Sequence, residues 1–158
     1  MDILLAEQYE SEIGAPFTDS LTGLYNNGFF QISLANEVKR SERYGNVFSI
    51  AIIDVDSFSH FNLSHGPLEG DRLLKGIARI IRNNIREVDL AARYSGNSFV
   101  IIVTESNCQQ TLVVADRIRN DVADKSNGDS TVSIGIASCP DDAATARMLI
   151  TKANEALV

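Results

Sequence analysis

Apolar positions fall along the chain in two rhythms, and the switch from one to the other predicts the elements. Val47 to Val55 (VFSIAIIDV) is nearly continuous and rich in β-branched residues, the pattern of a strand buried on both faces. Asn26 to Tyr44 sets Phe29, Phe30, Ile32, Leu34 and Val38 among polar residues, which suits a helix closed by Gly45. Leu68 to Ile85 places Leu73, Leu74, Ile77, Ile80, Ile81 and Ile85 at helical spacing. Leu90 to Tyr94 and Phe99 to Thr104 read as short strands joined by Ser95-Gly96-Asn97-Ser98, a hairpin signal. A helix near Gln109 to Ala123, a strand over Thr131 to Ser138 (TVSIGIAS) and a last helix from Ala143 onward complete the series.

The resulting order, α-β-α-β-β-α-β-α, predicts an α/β (α+β) class: a mixed sheet flanked by helices, with one hairpin. A chain of 158 residues favours one domain with one core. Residues 17–158 are assigned to that domain. Residues 1–16, with Ile3, Leu4 and Ile13 before the helix-breaking Pro16, read as a short connector helix from an upstream domain.

Composition narrows the functions. The chain is 44% hydrophobic, ordinary for a globular protein, and holds no run of the roughly 18 to 20 apolar residues that a membrane span needs. Its first residues carry acids where a secretory signal carries bases. Cys108 and Cys139 stand apart without CxxC spacing, so a reduced, cytoplasmic setting is expected. The net charge is −7, and no basic cluster along one face is evident, which argues against nucleic acid as a partner. Nor is there a basic amphipathic helix for a membrane surface.

The first chemical signal is Asp54-Val55-Asp56, at the end of the buried strand. Sheets of this kind bind ligands beyond the carboxyl ends of strands. Alternation points Asp54 and Asp56 the same way, while Val55 offers its carbonyl. Two acids and a carbonyl are hard oxygen ligands suited to Mg²⁺ bridging phosphates; polar residues merely ending a strand are the plainer alternative.

The company of that pair is more specific. In order come Asp19-Ser20-Leu21-Thr22-Gly23-Leu24-Tyr25-Asn26, Asp54-Val55-Asp56-Ser57-Phe58, Asn62, Gly70-Asp71, Arg86-Glu87-Val88-Asp89, Arg93-Tyr94-Ser95-Gly96-Asn97-Ser98-Phe99 and Ser133-Ile134-Gly135-Ile136-Ala137. This series resembles the GGDEF (diguanylate cyclase) family, whose motifs read DxLTGLxN, DxDxFKxxND, GHxxGDxxL, RxxD, RxGGDEF and SxGIA. The resemblance runs from Phe17 to the C-terminus. It implies the nucleotidyl-cyclase palm fold, with the signature loop on the hairpin. It implies too the condensation of two GTP molecules, one per subunit of a homodimer, to cyclic di-GMP with the help of metal ions. The implied metal ligands are Asp54 and the Val55 carbonyl. Asn62 and Asp71 match the guanine-binding positions, with Phe58 and Ser59 beside them. An Asp accepting from N1–H and N2–H₂ selects guanine over adenine. Arg86 and Asp89 match the inhibitory site that binds cyclic di-GMP; a surface Arg–Asp ion pair is the plainer alternative.

The departures from the family are as informative. Ser95-Gly96-Asn97-Ser98-Phe99 stands where the family has GGDEF or GGEEF. Asn97 offers a carbonyl oxygen but no charge at a position that supplies a metal-facing carboxylate, and Ser98 replaces the next acid. Loss of a general base alone removes about 10²- to 10⁴-fold of rate. The phosphate-contacting Lys of the family is Ser59 here, Leu63 replaces the Asp of ND, Gly66-Pro67 replaces GH, and Asn27 replaces an Arg. A degenerate, catalytically silent domain is therefore expected, with Mg²⁺ binding weakened or absent. Its expected role is sensing GTP or cyclic di-GMP for domains outside this chain. The alternatives are a cyclase with residual activity and a structural dimerisation module. His60 and His65 lack ligand-spaced partners and read as surface residues, and no Walker-type loop or GxSxG elbow is present. Thr151 to Leu157 resembles the family's last helix (KRADxALYxAK), departs at Asn154, and stops before its Tyr and second Lys.

Overall fold

The computed structural model describes residues 17–157; the expected connector over residues 1–16 lies outside them. The elements are α1 (Asn27–Tyr44), β1 (Phe48–Val55), α2 (Phe58–His65), α3 (Pro67–Asn84), β2 (Leu90–Ser95), β3 (Ser98–Val103), α4 (Cys108–Lys125), β4 (Val132–Cys139) and α5 (Ala146–Ala156). The four strands form one sheet in the order β2-β3-β1-β4.

β1 lies between β3 and β4 and pairs with both along its length. Seven of its eight residues are buried, as its unbroken apolar run requires. Alternating side chains then divide the core. Ile50 and Ile52 face one cluster with Phe29, Phe30 and Leu34 of α1 and Leu149 of α5. Ala51, Ile53 and Val55 face the other, with Leu74, Ile77 and Ile81 of α3 and Ile118 and Val122 of α4. The sheet is thus sandwiched between helices.

Local signals in the sequence account for the helix ends. The Asn26 side chain accepts from the Phe29 N–H at the start of α1, and Gly45 ends it in the left-handed region at φ 74°. Asn107 and Gln110 close a reciprocal capping box on α4.

Three expectations change. The mixed sheet is antiparallel in every strand pair; parallel pairing is confined to one isolated bridge between Tyr25 and Ala92. The helical connection after β1 returns the chain to β2 in the direction of β1. The β2–β3 hairpin then reverses it, so β3, and β4 after the α4 crossover, both run against β1. The second change is α2. Its eight residues include none that is buried, so it leaves no periodic apolar trace to read. Thirdly, a basic face does exist. Arg72, Lys75, Arg79 and Arg82 are all exposed on α3, and their spacing of three, four and three residues puts them on one side of that helix.

Close approach fixes Gly135 on β4. A Cβ there would stand 2.0 Å from the Ala153 carbonyl oxygen in the last turn of α5 and 3.0 Å from the nitrogen of Leu157, its C-cap. Gly135→Ala should therefore lift α5 from the sheet and destabilise the domain by about 1–3 kcal/mol, read as a lower urea midpoint with an unchanged slope.

Candidate functional site

The sheet register decides what surrounds the DxD pair. Asp54 on β1 stands opposite Ser98 of β3 on one side and Ser133 of β4 on the other. It is half-buried, and burial together with the charge of Asp56 pushes its carboxyl above the usual carboxylate range. Asp56, one residue past the strand, is tied to the edge of β4. Its carboxylate accepts from Thr131 Oγ1 at 2.7 Å and Ser133 Oγ at 2.6 Å, and its N–H donates to the Thr131 carbonyl.

The hairpin tip faces Asp54 with neutral groups. Ser98 is buried and its hydroxyl is hydrogen-bonded to that of Ser95. The Asn97 backbone carbonyl accepts from the Val55 N–H at 3.0 Å. Arg93, which opens the motif, pairs with Asp19 at 3.3 Å and donates to the Gly96 carbonyl. Burial raises the Asp19 carboxyl, but hydrogen bonds from Thr22 and the nearby Arg93 outweigh it and hold the group below the usual range. The loop of residues 19–24 is thereby fastened to the hairpin.

Beyond Asp56 the chain turns at Ser57, a left-handed residue at φ 53° that makes no side-chain cap, and α2 begins. An uncapped first turn presents backbone N–H groups to an anion, here immediately beyond the DxD carboxylates. Gly66 ends α2 and starts α3, with Pro67 in the first turn of α3. This sharp junction folds the two helices together, so Asn62 reaches Gly70: a Cβ on Gly70 would lie 1.8 Å from Asn62 Oδ1 and 3.4 Å from Phe58 Cζ. Only glycine leaves Asn62 that seat. Asn62 Oδ1 is buried and has no hydrogen-bond partner, a state that costs free energy until something supplies a donor or the amide turns. Ser59 and Asp71 are exposed on the adjoining turns.

Arg86 and Asp89 form a different structure. α3 ends at Asn84, so the pair lies in the turn before β2, not on the helix. From Asp71 to Asn84 the helix rises by roughly 20 Å, which sets this pair apart from Asn62 and Asp71. The Asp89 side chain is 2% exposed. It accepts from the Arg86 backbone N–H at 2.9 Å, from Arg86 Nε at 3.1 Å and Nη2 at 3.0 Å, and from the Thr104 N–H at 3.1 Å and hydroxyl at 3.3 Å. Its acceptor sites are all in use. Arg86 Nη2 also donates to the Thr104 carbonyl at 2.6 Å, so the pair clamps the start of β2 to the end of β3.

Among the described residues no group of three or more His, Cys, Asp and Glu is placed to hold a metal ion. His60 and His65 are exposed. His65 stacks on Phe61 with centroids 4.2 Å apart and lies 3.6 Å from the Asp129 carboxylate. The hydroxyl clasp on Asp56 and the Asn62–Gly70 contact were not foreseen from sequence; the first depends on sheet register, the second on the turn at Gly66.

Residues 16–158 match the family model for the diguanylate cyclase GGDEF domain. The response regulator PleD of Caulobacter vibrioides is 33% identical over 146 residues, which are 87% of this chain and 32% of PleD. Diguanylate cyclase A of Treponema denticola is 32% identical over 149 residues, 89% of this chain and 40% of that protein. The chain thus spans well under half the length of these curated relatives. The GGDEF domain of DgcB from Caulobacter crescentus, solved in complex with c-di-GMP, superposes with a TM-score of 0.82 at 27% identity, covering 90% of this chain and 88% of that one.

Two stability measurements test this geometry. Asp89→Ala strands buried donors and should cost about 1–3 kcal/mol, and Arg86→Ala, which leaves the enclosed Asp89 carboxylate without its countercharge, should cost about 3 kcal/mol or more. Because the folded state raises the Asp54 pKa, its ionised form is disfavoured there. Asp54→Asn should therefore stabilise the domain in urea at neutral pH, and the gain should vanish below the range where Asp54 titrates.

Proposed function

This chain belongs to the diguanylate cyclase GGDEF domain family, and from that premise we propose that it binds a guanine nucleotide without turning it over, as a regulatory module in cyclic di-GMP signalling. One observation carries the reading. The two signature-loop positions that hold acids in the family are here an amide, Asn97, and the hydroxyl of Ser98, which stands opposite Asp54, buried and hydrogen-bonded.

Charge explains why this argues for silence. Joining two nucleoside triphosphates requires a base to accept the proton of the attacking hydroxyl and cations to offset charge on the phosphates. Neither Asn97 nor Ser98 accepts a proton near neutral pH. Asp54 and the Val55 carbonyl would hold one Mg²⁺, and a cation there would offset the burial and, secondarily, the Asp56 charge that raise the Asp54 pKa. A second divalent ion has no opposing carboxylate. When bound, Mg²⁺ supplies electrostatic binding of the phosphates.

The retained groups argue for a ligand at the same place. Asn62, with its orphaned buried oxygen, and Asp71, one residue past the glycine that seats it, are the proposed guanine contacts. Phe58 and Ser59 lie at the start of α2, where backbone N–H groups would meet phosphate. GTP at this site is favoured over cyclic di-GMP at Arg86 and Asp89, because Asp89 would have to surrender its internal hydrogen bonds before it could accept from a base edge. A homodimer and partner domains beyond this chain complete the proposal, since a binding event regulates only by favouring one of two states.

Titration calorimetry with GTP and Mg²⁺ should give saturable heat, and Asn62→Ala should weaken binding about tenfold, the worth of one hydrogen bond to the base. Incubation with GTP should yield no cyclic dinucleotide by chromatography. The triple change Ser95→Gly, Asn97→Glu and Ser98→Glu should raise turnover by at least about 10²-fold. Cyclic di-GMP formation by the unaltered chain, abolished by Asp54→Ala, would establish residual cyclase activity instead. A stable dimer with no heat from either nucleotide would leave only the structural module.

A further inference from the structure

We propose that the exposed face of α3, with the α2–α3 turn at its end, is a docking surface for an anionic lipid bilayer. Along this helix Leu68, Arg72, Lys75, Arg79 and Arg82 recur at steps of four, three, four and three residues, and all five are exposed. At about 100° per residue these positions stay within roughly 40° of one line, and they form a single stripe roughly 21 Å long. The opposite side of the helix carries Leu74, Ile77 and Ile81 into the core. The stripe therefore faces solvent.

Its charge is mostly unpaired. Arg72 pairs with Glu69 at 2.7 Å, but Lys75, Arg79 and Arg82 form no ion pair among the described residues. Lys125 of α4, equally unpaired there, lines the same shallow groove as Arg79. Asp71 stands at the border of the stripe. In a chain of net charge −7, the opposite sign is thus concentrated on one face. The screening length at physiological salt is about 8 Å. A partner held against this face feels the stripe and little of the acidic remainder.

The apolar end of the stripe decides which polyanion fits. Leu68 is 76% exposed, and Leu63, on the other side of the Gly66 turn, is 86% exposed. Pro67 between them is exposed as well. Exposure this high belongs to side chains that protrude. A nucleic-acid backbone offers such side chains nothing, and an acidic protein would need a matching pocket for each. The fluid interface of a bilayer accepts them in any arrangement, while anionic head groups meet the cations alongside. The docked face adjoins Asn62 and Asp71 without including them, so it does not depend on the function proposed above.

Co-sedimentation of the full chain with vesicles of equal parts phosphatidylserine and phosphatidylcholine tests the surface. The chain should sediment with them at low salt, be released as salt rises, and stay in the supernatant with phosphatidylcholine alone. Arg79→Gln with Arg82→Gln should weaken binding about 25-fold, since each cation near such a surface is worth about fivefold. Leu63→Ser with Leu68→Ser should weaken it at least about tenfold. All four positions are exposed, and far-UV circular dichroism with a cooperative melt shows that each variant is folded. Failure to sediment with the mixed vesicles overturns the proposal. So does binding that survives both paired changes. Retention by polyuridylate or polyglutamate, but not by the vesicles, overturns it in favour of a soluble polyanion.

Discussion

A strand that is paired on both edges and buried on both faces has one place to put a charge, its end, and β1 obeys that constraint. Ser49 to Asp54 pair with both β3 and β4, and the apolar side chains of β1 feed both halves of the core. Carboxylates anywhere earlier would be buried without partners at a cost of several kcal/mol. Asp54 and Asp56 therefore stand where the sheet gives out. What they face follows from register: Ser98 from one neighbour, Thr131 and Ser133 from the other. The neutral Asn97 and Ser98 sit in the signature loop of a fold whose core they do not build.

Placement of the second half of the site depends on a turn. Gly66 ends one helix and begins the next, and the fold-back brings Asn62 onto Gly70 so closely that any side chain there would collide. The buried amide oxygen left without a partner is a local cost. α2 buries none of its residues fully, and its contribution to the core is the partly buried Phe58.

The same motif chemistry serves a different end at Arg86 and Asp89. An Arg and an Asp three residues apart can meet a nucleotide or each other, and here the carboxylate is consumed by the backbone of β3 and by Arg86. Burial decides between the two uses. The Asp89 carboxylate is 2% exposed, whereas Asp71 lies exposed on its helical turn.

By itself the sequence determined the helix and strand content, the hairpin, the capping residues Asn26 and Gly45, and the motif series that carries family membership. Each is a local signal: a period, a cap, a short spacing. It also determined that Asn97 and Ser98 are neutral, since charge is a property of residue type. Tertiary structure alone decided that every strand pair is antiparallel, because direction depends on which strands meet. It alone decided that Asn62 is seated by Gly70 and that Asp89 is enclosed, because both contacts join segments whose separation no local pattern encodes. The basic face of α3 falls between the two cases. Its four cations are plain in the sequence, but they become one surface only when the helix register is fixed and the opposite side is packed against the sheet.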